Sequence, residues 1–192
     1  VSGTSNLGAN ITTTGTQEYN NNVTLSGAAR TLTTTGDTVT FTGTVNGAQD
    51  LTVDTNGTDN SSSLATVLFS STVGDTTPVG AILITGNLDL DANIIQSDST
   101  AGATSLAVSG TSNLGASVTT TGDQTYTGAV TLSANNTLTT TSNGTVSFGS
   151  TTNGAQTLAI TTNGTGDVTF TDDVGGSAGL NGLTISTNDF NA

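Results

Sequence analysis

One block of this chain occurs twice. Val1–Thr35 reads VSGTSNLGANITTTGTQEYNNNVTLSGAARTLTTT, and Val108–Thr141 reads VSGTSNLGASVTTTGDQTYTGAVTLSANNTLTTT. The echo continues from Thr38–Thr58 to Thr145–Thr165, with TVTF against TVSF and NGAQ against NGAQ. Roughly three residues in five are identical across these blocks, far more than shared composition produces. A further match begins at Leu183-Thr184-Ile185-Ser186, in the phase of Leu106-Ala107-Val108-Ser109. Repetition on this scale restricts the chain to architectures that add like units end to end. It divides one continuous segment, residues 1–192, into long repeats 1–107 and 108–184 with the start of a third copy at 183–192. On this reading the segment opens and closes in mid-motif, as a window on a longer periodic protein.

A shorter period lies inside the long one. Val118, Leu138 and Leu158 are evenly spaced at roughly 20 residues, and TTT triplets begin at Thr12, Thr33, Thr119 and Thr139. Apolar pairs at i and i+2 recur: Val39/Phe41, Leu51/Val53, Ile82/Ile84, Leu88/Leu90, Leu106/Val108, Val130/Leu132, Val146/Phe148, Leu158/Ile160, Val168/Phe170 and Leu183/Ile185. That spacing puts both side chains on one face of a strand. Between the pairs stand Asn-Gly steps at 46–47, 56–57, 143–144, 153–154, 163–164 and 181–182, which accept the positive φ of tight turns. About a quarter of the residues are Thr, and Gly or Asn interrupts every stretch long enough for a helix. The chain reads all-β.

Short strands recurring at roughly 20 residues predict a parallel β-helix with two or three strands per coil. Hydrogen bonds then run from coil to coil at about 4.8 Å, and nine or ten coils make a rod of roughly 45 Å. Val, Leu, Ile and Phe face inward, while Thr presents a β-branched stem to the strand and a hydrated hydroxyl to solvent. The alternative is a tandem array of Ig-like β-sandwich repeats, since seven strands fit about 80–100 residues. The long spacing argues against it, because successive copies are not equally far apart: Val1 returns at Val108, but Leu106 returns already at Leu183. The extra residues around Asp59–Leu88 carry the same strand-and-turn pattern, which a solenoid absorbs as added coil and a closed sandwich does not.

Charge and chemistry narrow the function. Fourteen acids face one base, Arg30, for a net charge of −13. That disfavours nucleic acids and anionic membranes as partners, because both need a cationic surface. No apolar run reaches the ~20 residues that cross a bilayer, so no membrane insertion is expected in this segment. Without His, Lys or Cys the common general bases and nucleophiles are missing, and the expectation is no enzyme. A two-carboxylate glycosidase has only Asp89/Asp91 and Asp172/Asp173 as candidate pairs, with no sign of a cleft between them. No cofactor is expected. Calcium is the weak exception, through Asp89, Asp91 and Asp98 in LDLDANIIQSD and Asp167, Asp172 and Asp173 in GDVTFTDDVGG. The TTT triplets raise an ice-binding face, which needs a Thr ladder kept on one side through successive coils. Sequons stand at Asn10, Asn22, Asn56, Asn60, Asn135, Asn143 and Asn163. Tyr19/Tyr126 and Phe41/Phe148 hold matching repeat positions and read as coil packing rather than a sugar platform.

The motifs VSGTSNLG, TTTGDQTYTGAVTL and NGAQTLAITTNG resemble the large exoproteins of the filamentous haemagglutinin type, bacterial surface adhesins exported by two-partner secretion. The resemblance covers nearly the whole chain. Similar Thr/Gly/Asn-rich solenoids occur in autotransporter passengers and giant surface proteins. It implies a right-handed parallel β-helix forming the shaft of an extracellular fibre, with adhesive or biofilm roles. The family's Asn-Pro-Asn-type secretion motif is not among these residues, whose one proline is Pro78. The function expected is a structural shaft, stalk or filament on a bacterial cell surface. Its partners are neighbouring repeats or subunits stacked axially, and host or matrix glycans. The second reading is a binding module for carbohydrate, calcium or ice on the same solenoid.

Overall fold

The computed structural model describes residues 1–57, 64–96 and 100–187. The named elements among the described residues are strands. The first three coils hold β1 (Ser5–Leu7), β2 (Ile11–Thr12), β3 (Gln17–Tyr19), β4 (Val23–Leu25), β5 (Arg30–Thr33), β6 (Val39–Phe41), β7 (Val45–Asn46), β8 (Leu51–Asp54) and β9 (Thr66–Phe69). The fourth and fifth contain β10 (Val79–Thr85), β11 (Asn87–Leu90), β12 (Ala103–Val108) and β13 (Ser112–Leu114). The rest of the stack comprises β14 (Val118–Thr120), β15 (Gln124–Tyr126), β16 (Val130–Leu132), β17 (Asn136–Thr140), β18 (Val146–Phe148), β19 (Thr152–Asn153), β20 (Thr157–Thr162), β21 (Val168–Phe170) and β22 (Gly182–Thr187).

Every pairing between these strands is parallel, and apart from one link of β12 to β14 at Ala103 and Thr120 the pairings resolve into three ladders. The first runs β1–β4–β7, passes through single bridges at Val73 and Ile94, and continues β14–β17–β20–β22. The second runs β2–β5–β8–β10–β12–β15–β18–β21. The third runs β3–β6–β9–β11–β13–β16–β19 and ends at a bridge to Val174. Each ladder is one face of a three-sided β-solenoid, and the all-parallel pairing excludes the sandwich array. The exception is an isolated antiparallel bridge between Ile95 and Ala101.

The strands of the second ladder make about eight coils, fewer than the nine or ten expected. One enlarged coil, met on two faces, contributes to the difference, and most other coils also run longer than the roughly 20 residues expected. The steps from Val45 to Val73 and from Val53 to Ile84 are much longer than the step from Ser5 to Val23. The register also corrects the short period. Val118 pairs with Leu138 as the even spacing predicts, but Leu138 then pairs with Ile160, while Leu158 sits beside Asn136.

Because side chains alternate along a strand, one parity of each face points into the prism. Leu32, Val53, Ile84, Val108, Leu114, Leu138 and Ile160 are buried there, stacked on like residues of adjoining coils. Two aromatic files run along the axis. Tyr19, Phe41 and Phe69 stack at 5.1 and 5.0 Å between ring centroids, and Tyr126, Phe148 and Phe170 at 5.4 and 4.6 Å. The Tyr/Phe repeat positions are therefore packing positions.

Among the buried polar atoms without a partner, one is readily corrected. Thr152 is fully buried in the third ladder between Val130 and Val174, and its Oγ1 has no hydrogen-bond partner. The matching residue of the first long repeat is Val45, also fully buried. Thr152→Val keeps the shape and removes an unpaired buried hydroxyl, so we expect it to stabilise the protein by about 1 kcal/mol. Thermal melting checks this: an unchanged or lower Tm refutes it.

Candidate functional site

The polar side chains placed with most consistency are at the corners, where they tie one coil to the next. At corner after corner an Asn or Asp side-chain oxygen accepts a backbone N–H from the coil that follows. Asn10 holds Thr31 at 3.0 Å, Asn93 holds Ser117 at 2.8 Å, Asn135 holds Thr157 at 2.9 Å and Asn143 holds Thr165 at 3.0 Å. Asp50 holds Ala81 at 2.8 Å and Asp123 holds Thr145 at 2.9 Å in the same manner. At a turn the backbone leaves the ladder and its N–H groups lose strand partners, and the clamps supply acceptors there. Four of the predicted sequons, Asn10, Asn22, Asn135 and Asn143, serve as such clamps. Asn56 buries its Oδ1 without a partner, Asn163 is exposed, and Asn60 lies outside the described residues.

A second device is internal and repeated. Gln17 donates from Nε2 to Thr33 O at 2.9 Å, Thr13 Oγ1 at 3.3 Å and Ile11 O at 3.4 Å, while Tyr19 OH donates to Gln17 Oε1 at 3.0 Å. Gln124 repeats the set with Thr139 O at 2.9 Å, Thr120 Oγ1 at 3.2 Å, Val118 O at 3.3 Å and Tyr126 OH at 3.2 Å. Burial raises the Tyr19 hydroxyl to about 12 and pushes Tyr126 higher still, so both remain protonated donors over the physiological range. The motif T-T-G-x-Q-x-Y thus encodes a buried corner network. Sequence reasoning saw its Thr and Tyr and missed its Gln. The signal was present, because Gln17 and Tyr19 share the i, i+2 parity of Val39 and Phe41, their ladder partners.

Arg30 stands out in the sequence as the single base, and the structure makes it an interior residue. Its guanidinium is buried against backbone carbonyls, with Nε donating to Leu7 at 2.9 Å and Ser26 at 3.0 Å, and Nη1 donating to Ala29 at 3.0 Å. Asn136 stands at the matching place in the second repeat and donates from Nδ2 to Leu114 O at 2.7 Å and Ala134 O at 2.8 Å. Both side chains cap the carbonyl end of the strand beneath.

The TTT triplets do not form one outward ladder. The middle residue of each later triplet, Thr34, Thr120 and Thr140, turns inward and is fully buried. Thr120 and Thr140 donate to Gly122 O at 2.6 Å and Gly144 O at 2.7 Å, closing the corner. The outward file of the second ladder reads Thr31, Thr52, Leu83, Ala107, Thr125, Ser147 and Thr169, interrupted at Leu83 and Ala107.

The acidic candidates among the described residues do not converge. Asp89 lies on β11 and accepts Asn113 Nδ2 at 2.9 Å; Asp91 is exposed just past the strand. Asp167, Asp172 and Asp173 are exposed on either side of β21, and the one contact among their carboxylates is Asp172 Oδ1 accepting the Asp173 N–H at 2.8 Å. Asp98 lies outside the described residues. Among the described residues no three acidic side chains gather as a cation site, and no helix is long and apolar enough to cross a membrane. Comparison of the chain with protein-family models, curated proteins and solved structures finds no match.

Proposed function

We propose that this chain is a shaft segment of a secreted bacterial surface fibre, giving length and stiffness to a stalk or filament in adhesion or matrix building. The observation that supports this reading is the continuity of all three ladders, with Asn/Asp clamps recurring along their corners. Parallel ladders make every coil a template for the next, and an unpaired coil edge invites axial continuation by a neighbouring repeat or subunit. The acidic surface keeps so long an array soluble. Location outside the cell belongs to the same proposal, while glycans as partners belong to the alternative, a binding module on the same solenoid.

Imaging of the native assembly together with a glycan array tests it. The shaft reading expects rods in which this segment adds about 40 Å of length, with no glycan retained. Retention of a defined glycan that is lost on substituting outward residues such as Thr24 and Thr131 replaces the shaft with a binding module.

A further inference from the structure

The long sequence repeat and the coil are not commensurate. Counting Val73 and Ile94 as strand positions, β13 comes fourteen positions after β1, which on a three-sided prism is four coils and two faces. Copy and original therefore lie on different ladders. Leu7 pairs with Leu25 in the first ladder, and their counterparts Leu114 and Leu132 pair in the third. Ile11 pairs with Leu32 in the second, whereas Val118 and Leu138 pair in the first. Tyr19 stacks on Phe41 in the third, whereas Tyr126 stacks on Phe148 in the second.

The displacement persists to the last described strand. Phe69, Val73, Gly74, Ile82 and Ile84 recur as Phe170, Val174, Gly175, Leu183 and Ile185. Val73 bridges Val45 and Val174 bridges Thr152; Ile82 pairs with Leu51 and Leu183 with Leu158. Even corner detail is kept, since Asn46 Oδ1 accepts Thr76 N–H at 2.9 Å and Asn153 Oδ1 accepts Ser177 N–H at 3.0 Å. Leu183 and Ile185 also lie one face back from Leu106 and Val108, to which they align at the shorter spacing.

We infer that the duplicated unit is a block of fourteen strand positions that returns one face back, so that successive blocks present the same outward pattern to different sides of the shaft. That pattern includes Asn6, Thr24 and Asn46 in one block and Asn113, Thr131 and Asn153 in the next. Three blocks in succession cover all three faces and bring the fourth into line with the first. Such a surface suits a partner met from all sides, namely neighbouring copies of the chain in a three-dimensional matrix. It does not suit a flat lattice held along one face. The face step stands on the registers alone; its use in a matrix rests on the shaft reading, and failure of the imaging test leaves the step untouched.

The chain has no cysteine, so paired spin labels report the step directly. Glu18 and Thr131 lie outward on the third ladder five coils apart, linked through Thr40, Leu68, Asp89 and Asn113. Labels at Glu18→Cys and Thr131→Cys are expected about 24 Å apart along the axis. Thr125 is the repeat counterpart of Glu18 and lies on the second ladder. The Glu18→Cys/Thr125→Cys pair is expected to give the longer distance, although it spans fewer residues. An equal or shorter distance for that pair puts both copies on one face and overturns the inference. Thr40→Cys with Thr131→Cys, four coils apart on the third ladder, must give the shortest distance of the three; otherwise the ladder assignment itself fails.

Discussion

Gly74→Ala should destabilise the protein by about 3–5 kcal/mol, while Gly175→Ala at the matching corner costs about 1–2 kcal/mol. The two glycines share a sequence position, a hydrogen bond to the coil beneath and nearly the same left-handed φ, 77° and 75°. The strain of giving an L-residue that φ is therefore common to both. Their neighbours differ. A Cβ on Gly74 would overlap the backbone carbonyl oxygen of Gly102, whereas at Gly175 the nearest atom is 3.2 Å away. Gly102 cannot retreat freely, because it is hydrogen-bonded to Thr119 O and accepts Val79 N–H. Relief requires disturbing the adjoining antiparallel bridge of Ile95 to Ala101. Denaturant midpoints of the two variants, with hydrogen exchange over residues 73–103, measure the difference. Equal losses would show that φ alone sets the cost and that the coils at Gly102 are not in contact.

This contrast also shows where the sequence stops being legible. The strands were readable because an i, i+2 apolar pair in a chain so rich in Thr and Gly has little else to be, and every such pair lies on a strand. Coil length was only partly readable. The step from Val118 to Leu138 is real, but the next coil is longer and carries Leu138 past Leu158 to Ile160. Corners are hydrated and tolerate such insertions, while strands set by packing do not. The buried side of Gln17, Gln124 and Arg30 was obscured by polarity, although their parity marks them as inward. The step of one face was hidden for a deeper reason. The three faces are chemically alike, so Leu7 and Leu114 look the same in sequence while standing on different sides, and only the register separates them. Among the described residues, nearness in sequence across a strand and its corners does not gather Asp167, Asp172 and Asp173 into a cation site.

Phe41→Ala is expected to cost about 3–5 kcal/mol, and the loss should remain local. Phe41 is fully buried at the centre of its file, with Tyr19 and Phe69 on either side at interplanar angles of 10° and 7°. Removing the ring forfeits both stacking contacts and leaves a cavity that parallel strands, fixed by inter-coil hydrogen bonds, cannot collapse to fill. Phe170→Ala removes a half-buried ring with one stacking partner among the described residues, so its cost should be less than half as great. In a solenoid each coil touches only its neighbours, and stability is close to a sum of coil and interface contributions. Hydrogen exchange of Phe41→Ala should therefore show protection falling in residues 5–69, which hold both stacking neighbours, while the file of Tyr126, Phe148 and Phe170 keeps its own. If protection falls evenly along the chain, the protein unfolds as one globular unit. Stiffness would then be a property of the whole segment rather than of each added coil. A shaft whose length grows block by block needs the other result, in which damage to one coil leaves distant coils standing.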